Sequence, residues 1–304
     1  LEMARDPSCR IVVTVSGAMT AAKMGKVLCE MIDRGLADAI VSTGAILAHG
    51  LSESVGGVHY KHDPSIGDEQ LYEWGYNRIY DTLEMEANLD SAAEVVENVL
   101  GEMDPDEPWG SYAVTAEIGR KLCESGRMPS ILGCAHRRSV SVYVPAFTDS
   151  ELALEMSVHC QEGQEDGEGN GGAFSDVPSF NPFLDLHHFA RSVLEAERLG
   201  IFTVGGGVPR NWAQQVGPFI EILNRRLDCE ISIPRYLYGV RICPEPAHWG
   251  GLSGCPYMEG ISWGKFCPPE EGGRFAEVFC DATIVWPLLV RAVLEELGHL
   301  PRED

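Results

Sequence analysis

The sequence has no apolar run of transmembrane length, no Cys-x-x-Cys pair, no Gly-x-Gly-x-x-Gly in its first 160 residues, and half as many basic residues as acidic ones. Each absence excludes something. With 44% hydrophobic residues and no long apolar stretch, the 304-residue chain reads as globular and free of membrane-spanning helices. Its opening, Leu1-Glu-Met-Ala-Arg5, is not apolar, so no signal peptide is expected. The ten cysteines (Cys9, Cys29, Cys123, Cys134, Cys160, Cys229, Cys243, Cys255, Cys267 and Cys280) are scattered, several within apolar segments. That pattern favours reduced thiols in a cytoplasmic protein over a disulfide framework. Cys243, Cys255 and Cys267 are evenly spaced but fit no zinc template, and no metal site is expected. Forty-six acidic against 23 basic residues give a formal net charge of −23. Such a surface repels phosphate backbones, so no nucleic-acid partner is expected. The same field attracts cationic small molecules such as polyamines; equally, it serves simply to keep the protein soluble.

What the chain does have is concentrated between Gly250 and Lys265, Gly-Gly-Leu-Ser-Gly-Cys-Pro-Tyr-Met-Glu-Gly-Ile-Ser-Trp-Gly-Lys. Its glycines and Pro256 predict a long loop rather than a helix or strand. The loop carries a carboxylate (Glu259), a hydroxyl (Ser262), a flat aromatic (Trp263) and an amine (Lys265) next to Phe266. A lysine placed against apolar surface loses part of its proton affinity, and the free amine is a nucleophile able to form an imine. A solvated lysine on a surface loop is the other reading of the same residues.

In chain order, Ile11–Val15 is a β-branched run leading into Ser16-Gly17-Ala18, and Met24, Val27, Leu28, Met31 and Ile32 then recur at helical spacing up to Gly35. Residues 37–44 read as a second strand and a turn, completing a βαβ unit and predicting a parallel sheet. The expected fold is α/β: a Rossmann-like parallel sheet flanked by helices in a single large domain. Small residues at the strand ends, Ser16-Gly17 and Ser42-Thr43-Gly44, suit a dinucleotide crevice at the carboxyl edge of such a sheet. Residues 56–81 read as irregular; His59 and His62 there are two ligands, too few for a metal. Helices are expected over 82–101 and 111–126, and a strand over 139–145 ending near Asp149. That carboxylate suits either a ligand contact or the N-cap of the helix after it. Residues 161–172 are acidic, glycine-rich and free of apolar side chains, which predicts a mobile surface insertion. An amphipathic helix over 184–199 leads to the strand 201–204 and then to Gly205-Gly206-Gly207. Strand, three glycines and helix let a backbone approach a phosphate or ribose closely. The strand 275–280 ends at Asp281-Ala282, and a last helix over 284–297 takes Pro287 in its first turn.

Together, Glu259-Gly-Ile-Ser-Trp-Gly-Lys265, Asp281-Ala282, Pro287-Leu-Leu-Val290, Val41-Ser-Thr-Gly44, Pro145-Ala-Phe-Thr-Asp149 and Gly205-Gly-Gly-Val208 resemble deoxyhypusine synthase, over residues 11–297. The resemblance implies an NAD-dependent enzyme that oxidises spermidine, carries a butylamine fragment as an imine on its own lysine, and passes it to an amine acceptor. By resemblance Lys265 is the nucleophile. Trp263 packs on the polyamine stem, and Glu259 holds an ammonium group, with Asn211 and Glu155 as further substrate contacts. Ser16, Gly17, Thr43, Gly44, Asp149, Gly205, Gly206, Gly207, Ser253, Gly254, Asp281 and Ala282 frame the NAD. Paired sites between the subunits of a homotetramer are also implied. The chain departs from the family pattern at Ala48 and His49, where the family has paired glutamates, at Asn211 in place of a histidine, and at Leu252 in place of an aspartate. A family aspartate past the Thr-Asp pair requires Glu155 with a one-residue shift, and the family's amino-terminal segment is expected to be missing. These departures point to a divergent branch that uses a small polyamine acceptor, as homospermidine-forming bacterial relatives do. A lysine on a translation-factor precursor is the alternative acceptor, and an NAD- or polyamine-binding protein without turnover is the non-enzymatic alternative.

Overall fold

Strand β1 (Cys9–Val15) is buried along its last five residues, because its two faces meet two different cores. Val13 and Val15 pack on one side of the sheet, Val12 on the other. A strand covered on both faces has no polar alternation, which is the signature of a parallel sheet sandwiched by helices. In the computed structural model, which describes residues 1–104, 106–126, 129–161, 177–251 and 253–301, β1 is the hub of a six-stranded sheet. The chain next forms β2 (Ala39–Ser42), then β3 (Tyr60–Lys61), β4 (Tyr76–Ile79) and β5 (Thr82–Met85), which make a separate antiparallel sheet in the order β3-β5-β4. It returns to the main sheet with β6 (Ser141–Tyr143), β7 (Arg198–Val204), β8 (Tyr236–Ile242) and β9 (Arg274–Val278).

The main sheet runs β6-β2-β1-β7-β8-β9, and every pairing in it is parallel. The chain winds outward from β1 through β2 to β6, then crosses to β7 and winds the other way. This is the doubly wound dinucleotide-fold order, with its switch point between β1 and β7. One face is covered by helices that include Gly25–Asp33, Gly44–Ser54, Ser111–Glu124 and Ala282–Glu296. The other face is covered by Pro182–Leu194, Gly207–Gln214 and Val216–Leu227, together with the aromatic rings of Tyr257 and Phe266. No helix of the described residues is long and apolar enough to cross a membrane.

Several local expectations are corrected. Residues 56–81 are ordered as β3, the helix Asp68–Glu73 and β4; a two-residue strand is too short to show a period of two. The expected helix over 82–101 opens as strand β5 and becomes helical only at Glu86–Leu100. Gly44 is not in a turn but opens a helix, which Thr43 caps by accepting from Ile46 N. The strand expected over 139–145 is trimmed to Ser141–Tyr143, because Ser139 adopts a left-handed conformation at the end of the helix before it. The helix expected over 184–199 ends at Leu194, and Arg198 already belongs to β7. Asp281 caps the final helix, so Pro287 lies inside it and not in its first turn. The acidic segment expected as a mobile insertion falls, beyond Gln161, outside the described residues, as does Leu252.

Candidate active site

The segment expected to be a long loop is only partly one: Tyr257–Ile261 forms a short helix that delivers Lys265. Two buried rings pin it. The Tyr257 hydroxyl donates to Thr203 Oγ1 (2.8 Å) and lies 3.1 Å from the Val240 carbonyl, while Phe266 packs against Tyr236, Tyr257 and Phe275. Between the anchors the chain closes in a Schellman motif. Lys265 N donates to Gly260 O and Gly264 N to Ile261 O, each at 3.0 Å, with Gly264 at φ +67°. Gly260 has to be glycine, since a Cβ there lands 2.5 Å from the Phe266 ring. The Lys265 carbonyl then accepts from Tyr236 N at the amino end of β8, opposite the crevice edge of the sheet. The position of the lysine is therefore set by main-chain bonds.

The Lys265 side chain enters a cavity of about 520 Å³ shared with Gly207, Asn211, Ser253, Glu259 and Trp263. Its Nζ donates to Asn211 Oδ1 at 3.2 Å and lies 5.8 Å from the centre of the Trp263 ring. Burial lowers the Lys265 pKa, and the nearby Arg210 charge lowers it further, against the opposing pull of Glu259. Each influence is a direct consequence of position: desolvation and a like charge disfavour the ammonium, and a carboxylate favours it. Arg210 is itself buried and donates to the carbonyls of Ser253 (2.9 Å) and Cys255 (2.6 Å). Arg241, also buried, reaches the same two carbonyls and pairs with Glu277 at 3.2 Å. Two cations thus fix the 253–255 turn, and one of them charges the lysine's surroundings.

At the carboxyl edge of the sheet the switch point gathers the other predicted residues. The Ser16 hydroxyl donates to the Gly206 carbonyl, and Thr43 Oγ1 donates to Gly17 O at 2.7 Å. A Cβ on Gly206 meets Ser253 Cβ at 2.7 Å, and one on Gly254 collides with the Glu245 carbonyl, so these two glycines serve contacts within the protein. Gly207 (φ +60°) faces open space instead, and Gly17 (φ +74°) meets only the end of the Met19 side chain at 3.9 Å, which leaves both backbones approachable by a phosphate or ribose. Gly207 and Ser253 line both this crevice and the Lys265 cavity, which makes the two adjoin. Gly207, without a Cβ at positive φ, leaves the start of its helix open to a phosphate or ribose. Asp149 is exposed on the loop whose next residue, Ser150, packs against Gly44, so it borders the same edge.

Among the predicted substrate contacts, Glu155 is not brought to the lysine. Glu155 lies on the helix Glu151–Gln161 and lines a separate small cavity with Ala48 and Leu89. Asp281 lies past the edge strand β9, and its carboxylate accepts from Thr283 N (2.8 Å) and Oγ1 (2.6 Å). It acts as a helix cap, and Ala282 beside it is buried in the first turn. Sequence reasoning missed Arg210 and Arg241, whose burial no residue pattern announces. It also missed that His59 joins His49 and Glu84 rather than His62, which turns away to the Ile66 carbonyl. The three come from separate elements, so no spacing in the sequence connects them.

A doubly wound parallel sheet, with a partly desolvated lysine in a cavity that Gly207 and Ser253 also line, defines the class as a dinucleotide-type α/β fold. The deoxyhypusine synthase family model matches residues 1–293. The chain is 30% identical over 303 residues to the "Probable deoxyhypusine synthase 2" of Methanosarcina acetivorans, covering 99% of this chain and 81% of that protein. It is 29% identical over 289 residues to the "Deoxyhypusine synthase-like protein" of Chlorobaculum parvum, covering 94% and 77%. Its fold is similar to the crystal structure of a "putative deoxyhypusine synthase" from Entamoeba histolytica, with a TM-score of 0.57, 13% identity, and coverage of 93% and 74%. The chain belongs to the deoxyhypusine synthase family and is a divergent member of it.

Proposed function

We propose that this protein transfers a 4-aminobutyl group from spermidine, through an imine on Lys265, to a small polyamine acceptor. The observation that carries this reading is the Lys265 amine itself. It is half-buried, held by Asn211, faced by Arg210 and open to a cavity that adjoins a dinucleotide crevice. A lysine with lowered proton affinity holds a larger share of neutral amine than a solvated one, and imine formation requires the neutral form. Glu259 and Trp263, on the same cavity, offer a carboxylate for an ammonium end and an aromatic wall for a methylene stem. Bound NAD would supply a hydride acceptor for oxidation of the donor carbon and, reduced, the hydride that completes the product, while the rest of spermidine would leave as 1,3-diaminopropane. Ser16, Gly17, Thr43, Gly44 and Gly205–Gly207 are the residues that would hold it, with Asp149 at the rim. During turnover Asn211 orients the amine, and burial, with Arg210 beside it, lowers its affinity for a proton.

The preference for a small acceptor rests on the family contacts replaced by Ala48 and His49. His49 is tied to Glu84 at 2.5 Å instead of facing the Lys265 cavity. Assembly into a homotetramer with paired sites is part of the same reading. It is supported by Ile284 and Leu288, exposed apolar residues one turn apart on the final helix. Incubation with NAD and spermidine, with and without putrescine, followed by mass spectrometry, tests the whole. Homospermidine formed by the protein and lost in Lys265→Ala supports the reading. An adduct on Lys265 with no released polyamine redirects it to a protein lysine as acceptor. Neither product nor adduct overturns it.

A further inference from the structure

Far from Lys265 in the sequence, three side chains from three elements converge where the small antiparallel sheet packs on the helix Gly44–Ser54. His49 comes from that helix, His59 from the residue before β3, and Glu84 from the middle of β5. One donor atom from each lies within 4.8 Å of the other two. His49 Nδ1 is 2.5 Å from Glu84 Oε2, and His59 Nε2 is 3.5 Å from Glu84 Oε1. The Glu84 side chain is fully buried, and only 1% of the His59 side chain is exposed. Glu84 Oε1 and His59 Nε2 face each other across 3.5 Å, the outer limit of a hydrogen bond. A buried carboxylate oxygen and a buried ring nitrogen held by so long a contact are poorly satisfied, and a shared cation is one way to satisfy both.

The geometry points to a binding site for a divalent transition-metal ion of the zinc class, with His49 Nδ1, His59 Nε2 and a Glu84 oxygen as its three protein ligands. Two imidazoles and one carboxylate form a borderline donor set that suits zinc, and three protein ligands leave a coordination position for water. That position opens on the His49 side, where 16% of the side chain is exposed. The surrounding groups match as well. Glu53 Oε1 (3.2 Å) and the Lys23 ammonium (2.8 Å) both reach His59 Nδ1; with an ion on Nε2 the proton sits on Nδ1, Glu53 accepts it, and Lys23 turns to Glu53 alone. A carboxylate behind a ligating histidine in this way fixes its tautomer and orientation. Lys23, which pairs with Glu53 and sits 2.8 Å from His59 Nδ1, balances the outer carboxylate. A bound ion would clamp the small sheet to the helix whose first residues, Thr43 and Gly44, border the crevice. This inference is independent of the transferase reading.

The test is to strip the full chain with a strong chelator and titrate it with Zn(II) by calorimetry, then with Co(II) by absorption. The expected result is one equivalent per chain, with a cobalt spectrum free of thiolate charge-transfer bands, because none of the ten cysteines takes part. His49→Ala and Glu84→Gln each abolish the site, and His62→Ala leaves it intact. Glu53→Gln weakens binding by about 10–100-fold. His49, less buried than Glu84, guards against misreading a folding defect of the Glu84 variant. Absence of binding by the folded wild-type chain, binding that survives His49→Ala, or a thiolate spectrum each overturns the proposal. The triad is then a buried ion cluster, in which hydrogen bonds to Glu53 and Glu84 raise the His59 pKa to about 9.

Discussion

Lys265 Nζ donates to Asn211 Oδ1 across 3.2 Å, joining the residue just past the short helix Tyr257–Ile261 to the second turn of the helix Gly207–Gln214. The amide oxygen orients the amine without charging it. Asn211→Ala should therefore weaken catalysis while leaving spermidine affinity less affected, read as a fall in kcat larger than any rise in KM.

Lys265→Ala should remove all borohydride-reducible adduct and lower turnover by on the order of 10⁴-fold or more, as loss of a covalent nucleophile does. Mass spectrometry of the intact chain after reduction checks the first claim and product formation the second. Lys265→Arg should fail equally, because a guanidinium stays protonated at any working pH.

The pH profile should respond in opposite directions to the two charges beside the amine. Only neutral Lys265 attacks, so activity rises with pH through the lysine's pKa. Arg210→Met removes a like charge and should move that acidic limb to higher pH; Glu259→Gln removes an attraction and should move it to lower pH. Arg210→Lys should leave the limb near its original place, although a lysine cannot reproduce both bonds to the Ser253 and Cys255 carbonyls.

Gly206→Ala should cost about 1–3 kcal/mol of stability, since its methyl meets the Ser253 backbone and side chain, and should weaken NAD binding with it. Thermal unfolding and a cofactor titration measure the two effects. Tyr257→Phe should cost about 1–3 kcal/mol by leaving buried polar atoms of Thr203 and Val240 short of a partner.

Ile284→Glu and Leu288→Glu should shift the protein toward smaller assemblies in analytical ultracentrifugation, if these exposed residues lie between subunits. Unchanged sedimentation would remove the final helix from the interface.

Much of the fold is legible in the residues, and what is not fails for physical reasons. Ile11–Val15 and Ile201–Val204 announce buried parallel strands because burial on both faces leaves no room for polar alternation. The small sheet is silent because Tyr60–Lys61 and Thr82–Met85 are too short to carry a period. At the site, Lys265, Trp263 and Glu259 stand out as chemically distinct groups among glycines, and the structure brings them to one cavity. Arg210 stays hidden because its role depends on burial, and a charged residue's sequence gives no sign of that. Asp281 is read ambiguously because helix capping and ligand contact call for the same carboxylate after a strand; here the capping bonds are present.

Because backbone bonds alone place residue 265, the loop keeps its shape when the side chain is cut away. The alanine variant should then present a lysine-shaped vacancy walled by Trp263, Asn211 and Arg210. A free primary alkylamine of matching length is small enough to enter it and act in the missing side chain's place. Recovery of turnover on adding such amines, strongest for the chain length nearest lysine's own, would separate the chemistry of the amine from the architecture that holds it.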